Sequence, residues 1–531
     1  MITAVVDIRD QSPYNTLELP GGGSAFDRAI EALASVSDGI VVLSSPGSAL
    51  TQRTFVGSIP VSGKVCKVDV LSALTALEES ADGASALIYA RGDEPFIQAD
   101  LARNLVDTHT RYAAHYTFAD GYPAGMSVDV LAPALPRLLK DLAGKQETPD
   151  LDGLSPGWLF SLLQKDINAF DVETMLAPRD MRMLRIELRC NRKSNYVLCR
   201  RVAETGVTGH RELTEYLDTH RGLLRTVPEY TPVQVSAVRS QSPIYSSEFA
   251  DTDGQNPAAP RSRSGDEKAG AAADETGTDT AESTDTTEFL TATRASELFH
   301  RISEMNPEAV VGLGIWGEPL LNPELEAILN EVTRQESLTA VVETAGIDMD
   351  PEALLKLVSR FRGRVRWIIT LDANDPELYA RIRGDGYEKA WKNAHALVEQ
   401  EPDSVWIQAV RMDMNEAHLE HFYRYWKERT GNVIVQKYDW LSGRLPQRKV
   451  TDLSPLTRLP CWQNKRELSI LLDGTVPRCR EDIDRAFPLG NVDDESLETI
   501  WERGEALHRK HIDGTYPEIC EQCDEYYVFT F

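Results

Sequence analysis

From Ala292 onward the sequence repeats one pattern, an amphipathic helical segment followed by a short β-branched run. ATRASELFHRISEM leads to AVVGLGI, PELEAILNEVTRQ to LTAVVET and PEALLKLVSRF to VRWIITLD. PELYARIRG and EKAWKNAHALVEQ lead to VWIQAVRM, and EAHLEHFYRYWKERT leads to VIVQKYDW. Apolar residues at i, i+3 and i+4 predict helices, and runs of four to eight β-branched residues predict strands. A helix between two strands lets them pair in parallel, so the repeats predict a parallel sheet. With PVQVS at 232–236 there are six such strands, which predicts an open (βα)6 partial barrel over 231–440. Sites in folds of this kind lie at the C-terminal ends of the strands.

The first part of the chain alternates similarly. ITAVVDI, GIVVLSS, KVCKVDV, SALIYAR and HYTFA read as strands. AFDRAIEALASV, LSALTALEESA and QADLARNLVDTHTRYAA read as helices, giving an α/β domain over 1–145. Residues 146–230 read as a connecting α/β region with a strand, LRIELRC, and two helices, YVLCRRVAE and RELTEYLDTHRGLL. Residues 251–288 contain no Ile, Leu, Val, Met, Phe, Trp, Tyr or Cys. Such a segment buries too little surface to offset its ordering entropy and is expected to be a disordered insert.

The formal charge of −27 argues against nucleic-acid or anionic-membrane partners, which need basic surface. No run approaches the ~18 apolar residues of a membrane span. MITAVVDIRD lacks a basic leader segment, and a cytoplasmic chain is expected.

The strand ends carry polar residues. The second barrel strand ends in GIWGEP, with Gly317, Glu318 and Pro319; the third ends in ETAG, with Thr344; the fourth ends in TLD, with Thr370 and Asp372. A glycine lets a ligand approach the backbone, a carboxylate accepts from an ammonium, and a hydroxyl with a carboxylate suits a ribose. The tail, 441–531, holds Cys461, Cys479, Cys520 and Cys523 in the spacing C-x17-C-x40-C-x2-C. Four thiolates suit zinc or an iron–sulfur cluster equally.

WGEP, TAG and TLD together resemble the strand ends of the radical SAM superfamily. The resemblance implies Gly317, Glu318 and Pro319 at the amino group of S-adenosylmethionine, and Thr370 and Asp372 near its ribose, with Thr344 on the third strand end. CW…LLDGTVPRC, LGN, ESLETIW and the final C-x2-C resemble the SPASM or twitch extension of those enzymes. That implies one auxiliary [4Fe-4S] cluster on Cys461, Cys479, Cys520 and Cys523.

Radical SAM enzymes carry C-x3-C-x2-C on the loop after the first barrel strand. Here that loop, PVQVSAVRSQSPIYSSEF, offers Ser240, Ser242 and Ser246 and no cysteine. Serine is a poor ligand for a soft sulfide-bridged cluster. The expectation is therefore a barrel without the standard radical-generating cluster, used for electron transfer, for binding a peptide, sugar or protein partner, or for another role. The alternative is an active enzyme whose cluster site is rebuilt from Cys190 and Cys199.

ARGDEPF places Asp93 after a strand, as in nucleotidyltransferases of the glycosyltransferase-A type, where such an aspartate helps to bind a metal–nucleotide. Those enzymes also need a glycine-rich turn with a basic residue for the triphosphate. DIRDQSPYNT offers instead Asp7 and Asp10, and LPGGGSAF leads into a helix with no lysine at its start. A nucleotidyltransferase-like domain retained for binding or assembly is expected, with an active nucleotidyltransferase as the alternative. This layout, nucleotidyltransferase-like domain, partial barrel and cluster tail, resembles the spiro-SPASM group of spirochaete proteins.

Overall fold

The computed structural model describes residues 1–10, 12–46, 55–145, 155–237, 288–482 and 484–528. Two compact units result, Met1–Thr226 and Val227–Phe531. Apart from Glu288, the insert expected at 251–288 lies outside the described residues, as do Ser240, Ser242 and Ser246.

The first unit is built on an eight-stranded sheet. Its strands are β1 (Ile2–Asp7), β2 (Gly39–Ser44), β3 (Phe55–Val56), β4 (Ile59–Val65), β5 (Ala86–Arg91), β6 (Tyr116–Asp120), β7 (Asp129–Leu131) and β8 (Val172–Leu176). The order is β3-β4-β2-β1-β5-β7-β6-β8, with β4, β2, β1 and β5 parallel and β7 antiparallel to both neighbours. Ala4, Val6, Ile40, Val42 and Ile88 face the helices Ala25–Ala34 and Ala99–Tyr112. Val5, Val41, Leu43 and Leu87 face Val70–Ser80 and Leu135–Lys145. Burial on both faces explains why these strands read as continuous apolar runs. Each fully buried Val, Leu or Ile contributes about 1.5–3 kcal/mol relative to exposure.

Two expectations are corrected here. The strand expected at KVCKVDV ends at Val65, because the Asp69 carboxylate accepts from Ser72 N and starts a helix. LRIELRC forms no strand: Arg182–Leu184 is a 3-10 turn, Arg185 takes φ +45°, and only Glu187 bridges to Ala124. Strand β8, within the stretch read as a connector, joins the edge of the first sheet.

The second unit holds β9 (Tyr230–Val233), β10 (Val310–Leu313), β11 (Thr339–Thr344), β12 (Val365–Thr370), β13 (Val405–Arg411) and β14 (Val433–Lys437). All five pairings are parallel and the strands lie in chain order. Crossovers of one hand in one direction put the helices on one face. Ala340, Val342, Trp367, Ile369, Ile407 and Ala409 point to that face and form the core with them. The tail covers the free edge of β9. Leu468 N donates to Tyr230 O at 3.1 Å, Ile470 N to Pro232 O at 2.8 Å, and Gln234 N to Ile470 O at 2.9 Å. An uncovered strand edge is an aggregation hazard, so the cysteine-rich tail also completes the sheet.

Candidate functional site

Trp316, beyond β10, takes φ +55°, a conformation in which a bulky residue is strained. Gly317 follows because there is no room for a side chain: a Cβ there would lie 1.9 Å from Ser236 O. Glu318 is buried, 4% exposed. Its Oε1 accepts from Leu320 N at 3.0 Å and Thr344 Oγ1 at 2.5 Å, and its Oε2 from Ala345 N at 3.0 Å. Burial pushes the Glu318 carboxyl up, against those donors. Pro319 opens the buried turn Pro319–Leu321. Glu318 and Thr344 thus meet and lock the second strand end to the third.

Nearby, the chain leaves and re-enters the barrel through a neck. Ala237 N donates to Glu288 O at 2.8 Å and Leu290 N to Val235 O at 3.0 Å, with Ser236 and Phe289 paired antiparallel. Asn322 Nδ2 clamps both sides, donating to Val235 O at 2.7 Å and Leu290 O at 2.9 Å. Sequence reading missed Asn322, which nothing local distinguishes from a turn residue.

Thr370 and Asp372 go different ways. Asp372, at φ +66°, accepts from Arg383 Nε at 2.6 Å and Val410 N at 2.7 Å. Thr370 lies on the sheet face away from the helices and accepts from Gln408 Nε2 at 3.1 Å. The same amide donates to Glu343 Oε1 at 2.7 Å, and Thr370 Oγ1 reaches that oxygen at 3.4 Å. Glu343, with Tyr230, Pro232, Gly314, Trp316, Asp439 and others, lines a cavity of about 170 Å³. The Tyr230 ring lies over Gly312, whose absent Cβ would fall 2.2 Å from the phenol oxygen. Arg480 also lines the cavity, but it is bound by Glu467 in a bidentate pair, Nε to Oε1 at 3.1 Å. Glu343, Gln408 and Tyr230 were missed. The signal for Glu343 and Gln408 is period-two: VVET and VWIQ each carry a polar residue on the strand face opposite the core, as WIIT does with Thr370.

The four tail cysteines converge. Cys461 precedes the helix Trp462–Arg466, Cys479 follows the short strand Thr475–Val476, Cys520 lies in the short helix Glu518–Glu521, and Cys523 lies two residues beyond that helix. Cys461 and Cys520 are buried, and Cys479 and Cys523 half-buried. Burial pushes the Cys461 thiol up to about 12 and raises the other three. Cys479 feels the charge of Cys461, Cys523 and Cys520, so the four form one electrostatic group. Backbone N–H groups of Asn464 and Gln463 favour the Cys461 thiolate, and Glu525 N donates to Cys523 Sγ at 3.3 Å. Arg478 and Arg458 favour the Cys520 thiolate. Buried thiols held together, with N–H donors aimed at sulfur, fit thiolate ligands of an iron–sulfur cluster, whose irons supply the missing positive charge. Among the described residues no three His, Cys, Asp or Glu side chains are grouped as for a single metal ion.

In the first unit, Asp93 is 3% exposed and paired with Arg91 at 3.3 Å. Glu94 is paired with Arg189 at 2.8 Å, Arg91 with Asp10 at 3.2 Å, and Asp7 with Arg9 at 2.7 Å. Asp93, the carboxylate expected to help bind a metal–nucleotide, already has an arginine partner. The glycine turn is also engaged: Arg28 Nη2 donates to Gly22 O at 3.0 Å. Cys190 and Cys199 are fully buried, and burial, with Cys190 beside it, pushes the Cys199 thiol up.

Residues 461–524 match the SPASM family, an iron–sulfur cluster-binding domain. The tail therefore carries a SPASM iron–sulfur domain. The chain is 32% identical over 387 residues to an uncharacterized protein of Treponema pallidum (strain Nichols), a match spanning 70% of this chain and 99% of that one. The chain belongs to the family of that protein. Solved structures are more distant. BtrN in complex with AdoMet and 2-DOIA is 12% identical, over 56% of this chain and 94% of that chain, with TM-score 0.35. AnSMEcpe with bound AdoMet is 13% identical, over 56% and 84%, with TM-score 0.38. A cytidylyltransferase from Leptospira borgpetersenii serovar Hardjo-bovis (strain JB197) is 12% identical, over 42% and 94%, with TM-score 0.33. At these distances they bear on neither chemistry nor substrate. No helix among the described residues is long and apolar enough to cross a membrane.

Proposed function

We propose that this is a radical-SAM-derived protein carrying one auxiliary [4Fe-4S] cluster on Cys461, Cys479, Cys520 and Cys523, with a barrel that does not generate radicals by the standard route. The observation that carries the reading is the convergence of those four buried and half-buried thiols, set against the absence of any cysteine between Cys199 and Cys461. Such a cluster, when bound, supplies one-electron transfer. The chain's own part is to hold the thiolates, aim N–H groups and arginines at them, and pair the segment between Cys461 and Cys479 with the edge of β9. At the strand ends, Glu318 and Asp372 spend their carboxylates on protein donors, which supports a binding or electron-transfer barrel over S-adenosylmethionine cleavage. The first unit, by the pairing of Asp93 with Arg91, reads as a nucleotidyltransferase-like domain kept for binding or assembly. Membership of the spiro-SPASM group, a cytoplasmic location and a peptide, sugar or protein partner complete the proposal.

The test is anaerobic incubation of the full chain with S-adenosylmethionine and dithionite. The expected result is no 5′-deoxyadenosine above the reductant blank. Catalytic formation of 5′-deoxyadenosine overturns the reading in favour of a rebuilt radical site.

A further inference from the structure

We infer that the barrel cavity lined by Tyr230, Trp316 and Glu343 is a binding site for a small organic cation, a primary ammonium in its simplest form. The inference rests on the barrel acting as a binding domain, as proposed above, but not on the metal content of the tail.

Glu343, next to last in β11, has its side chain on the face away from the helical core. Its Oε1 is fixed by Gln408 Nε2 at 2.7 Å, and both Gln408 and Thr370 behind it are buried. Among the described residues Oε2 has no hydrogen-bond partner. The carboxylate is thus oriented by a buried network while one oxygen faces the cavity, the arrangement expected of a preformed acceptor. Glu343 is exposed to the cavity, whereas Glu318 is buried and both its oxygens are taken by protein donors.

The walls select the charge. Glu343 and Asp439 bring two carboxylates to the cavity, and the guanidinium there, Arg480, is already bound bidentately by Glu467. An anionic ligand meets net repulsion. Trp316 adds an indole to the lining, and the Tyr230 ring already has a cation over its face, the Arg480 guanidinium 5.8 Å from its centroid. Trp316 is held at a strained φ of +55° beside the cavity, and strain of that kind collects at binding sites. The volume of about 170 Å³ is below the roughly 300–1,000 Å³ that drug-sized ligands fill, so the ligand is small.

The experiment uses three probes of one shape and different charge: n-butylammonium, 1-butanol and butyrate. Ligand-observed NMR titration on the full chain gives their relative affinities. The expected order is n-butylammonium at least about tenfold tighter than either other probe, which corresponds to about 1.4 kcal/mol. Glu343→Gln should remove that preference while circular dichroism stays unchanged. Cys520→Ala/Cys523→Ala should keep it, so that loss of the cluster and loss of the cation site are read separately. Equal binding of the three probes, tighter binding of butyrate, or a preference unaffected by Glu343→Gln in a folded variant each overturns the inference.

Discussion

A Cβ placed on Gly317 would lie 1.9 Å from the carbonyl oxygen of Ser236 and 2.8 Å from its carbonyl carbon. Both contacts are to backbone at the neck where the chain leaves β9, so no side-chain rotation relieves them. Gly317→Ala must displace either the WGEP turn or the neck. The expected loss is about 1–3 kcal/mol, the usual range for overpacking, read as a lower urea midpoint for the full chain. An unchanged midpoint contradicts the close approach.

Glu318→Ala leaves Thr344 Oγ1, Ala345 N and Leu320 N without their acceptor. A buried unsatisfied group costs about 1–3 kcal/mol, so the variant is expected to lose at least about 2 kcal/mol in denaturant unfolding. A loss below about 0.5 kcal/mol, within the range of neutral surface changes, is inconsistent with the carboxylate acting as a lock.

Burial pushes the Asp129 carboxyl up to about 7, against a hydrogen bond from Tyr116. An unfolded aspartate titrates near about 3.9. The folded form therefore holds the proton more tightly than the unfolded one. The stability from this group is full below about pH 4 and is lost as pH rises toward 7. Hydrogen exchange of the first unit's strands, corrected for intrinsic rates, should show protection falling across that window. Asp129→Asn should flatten the fall; a slope identical in both proteins speaks against it.

Asp93→Asn removes a charge that faces Arg91 at 3.3 Å. Its expected effect is on stability, because a buried guanidinium loses a partner. Magnesium-dependent binding of nucleoside triphosphate, measured by equilibrium dialysis, should be equally weak in both proteins. Tight binding abolished by the substitution would restore an active nucleotidyltransferase.

The sequence was most legible where physical periodicity is strong. The helix–strand repeats after Ala292, with β9 before them, appear as a six-stranded parallel sheet in chain order, because each amphipathic helix has one place to bury its face. The cysteine spacing pointed to one site because C-x2-C fixes two thiols on one turn. The Glu343, Gln408 and Thr370 network was not legible, since its members belong to three strands far apart in sequence and meet only through register. Asp372 was expected to face a ribose; its partners, Arg383 and Val410 N, come from later in the chain. LRIELRC looked like a strand by composition, yet Arg189 is drawn to Glu94 and Arg185 turns left-handed.

The central claim is one iron–sulfur cluster held by the tail. It is tested most directly by iron, sulfide and zinc content of protein purified without oxygen, beside the Cys520→Ala/Cys523→Ala variant. The account predicts about four irons and four sulfides per chain, by cluster stoichiometry, and their loss in the variant. Zinc without iron contradicts the cluster, and about eight irons contradicts a barrel without a second one.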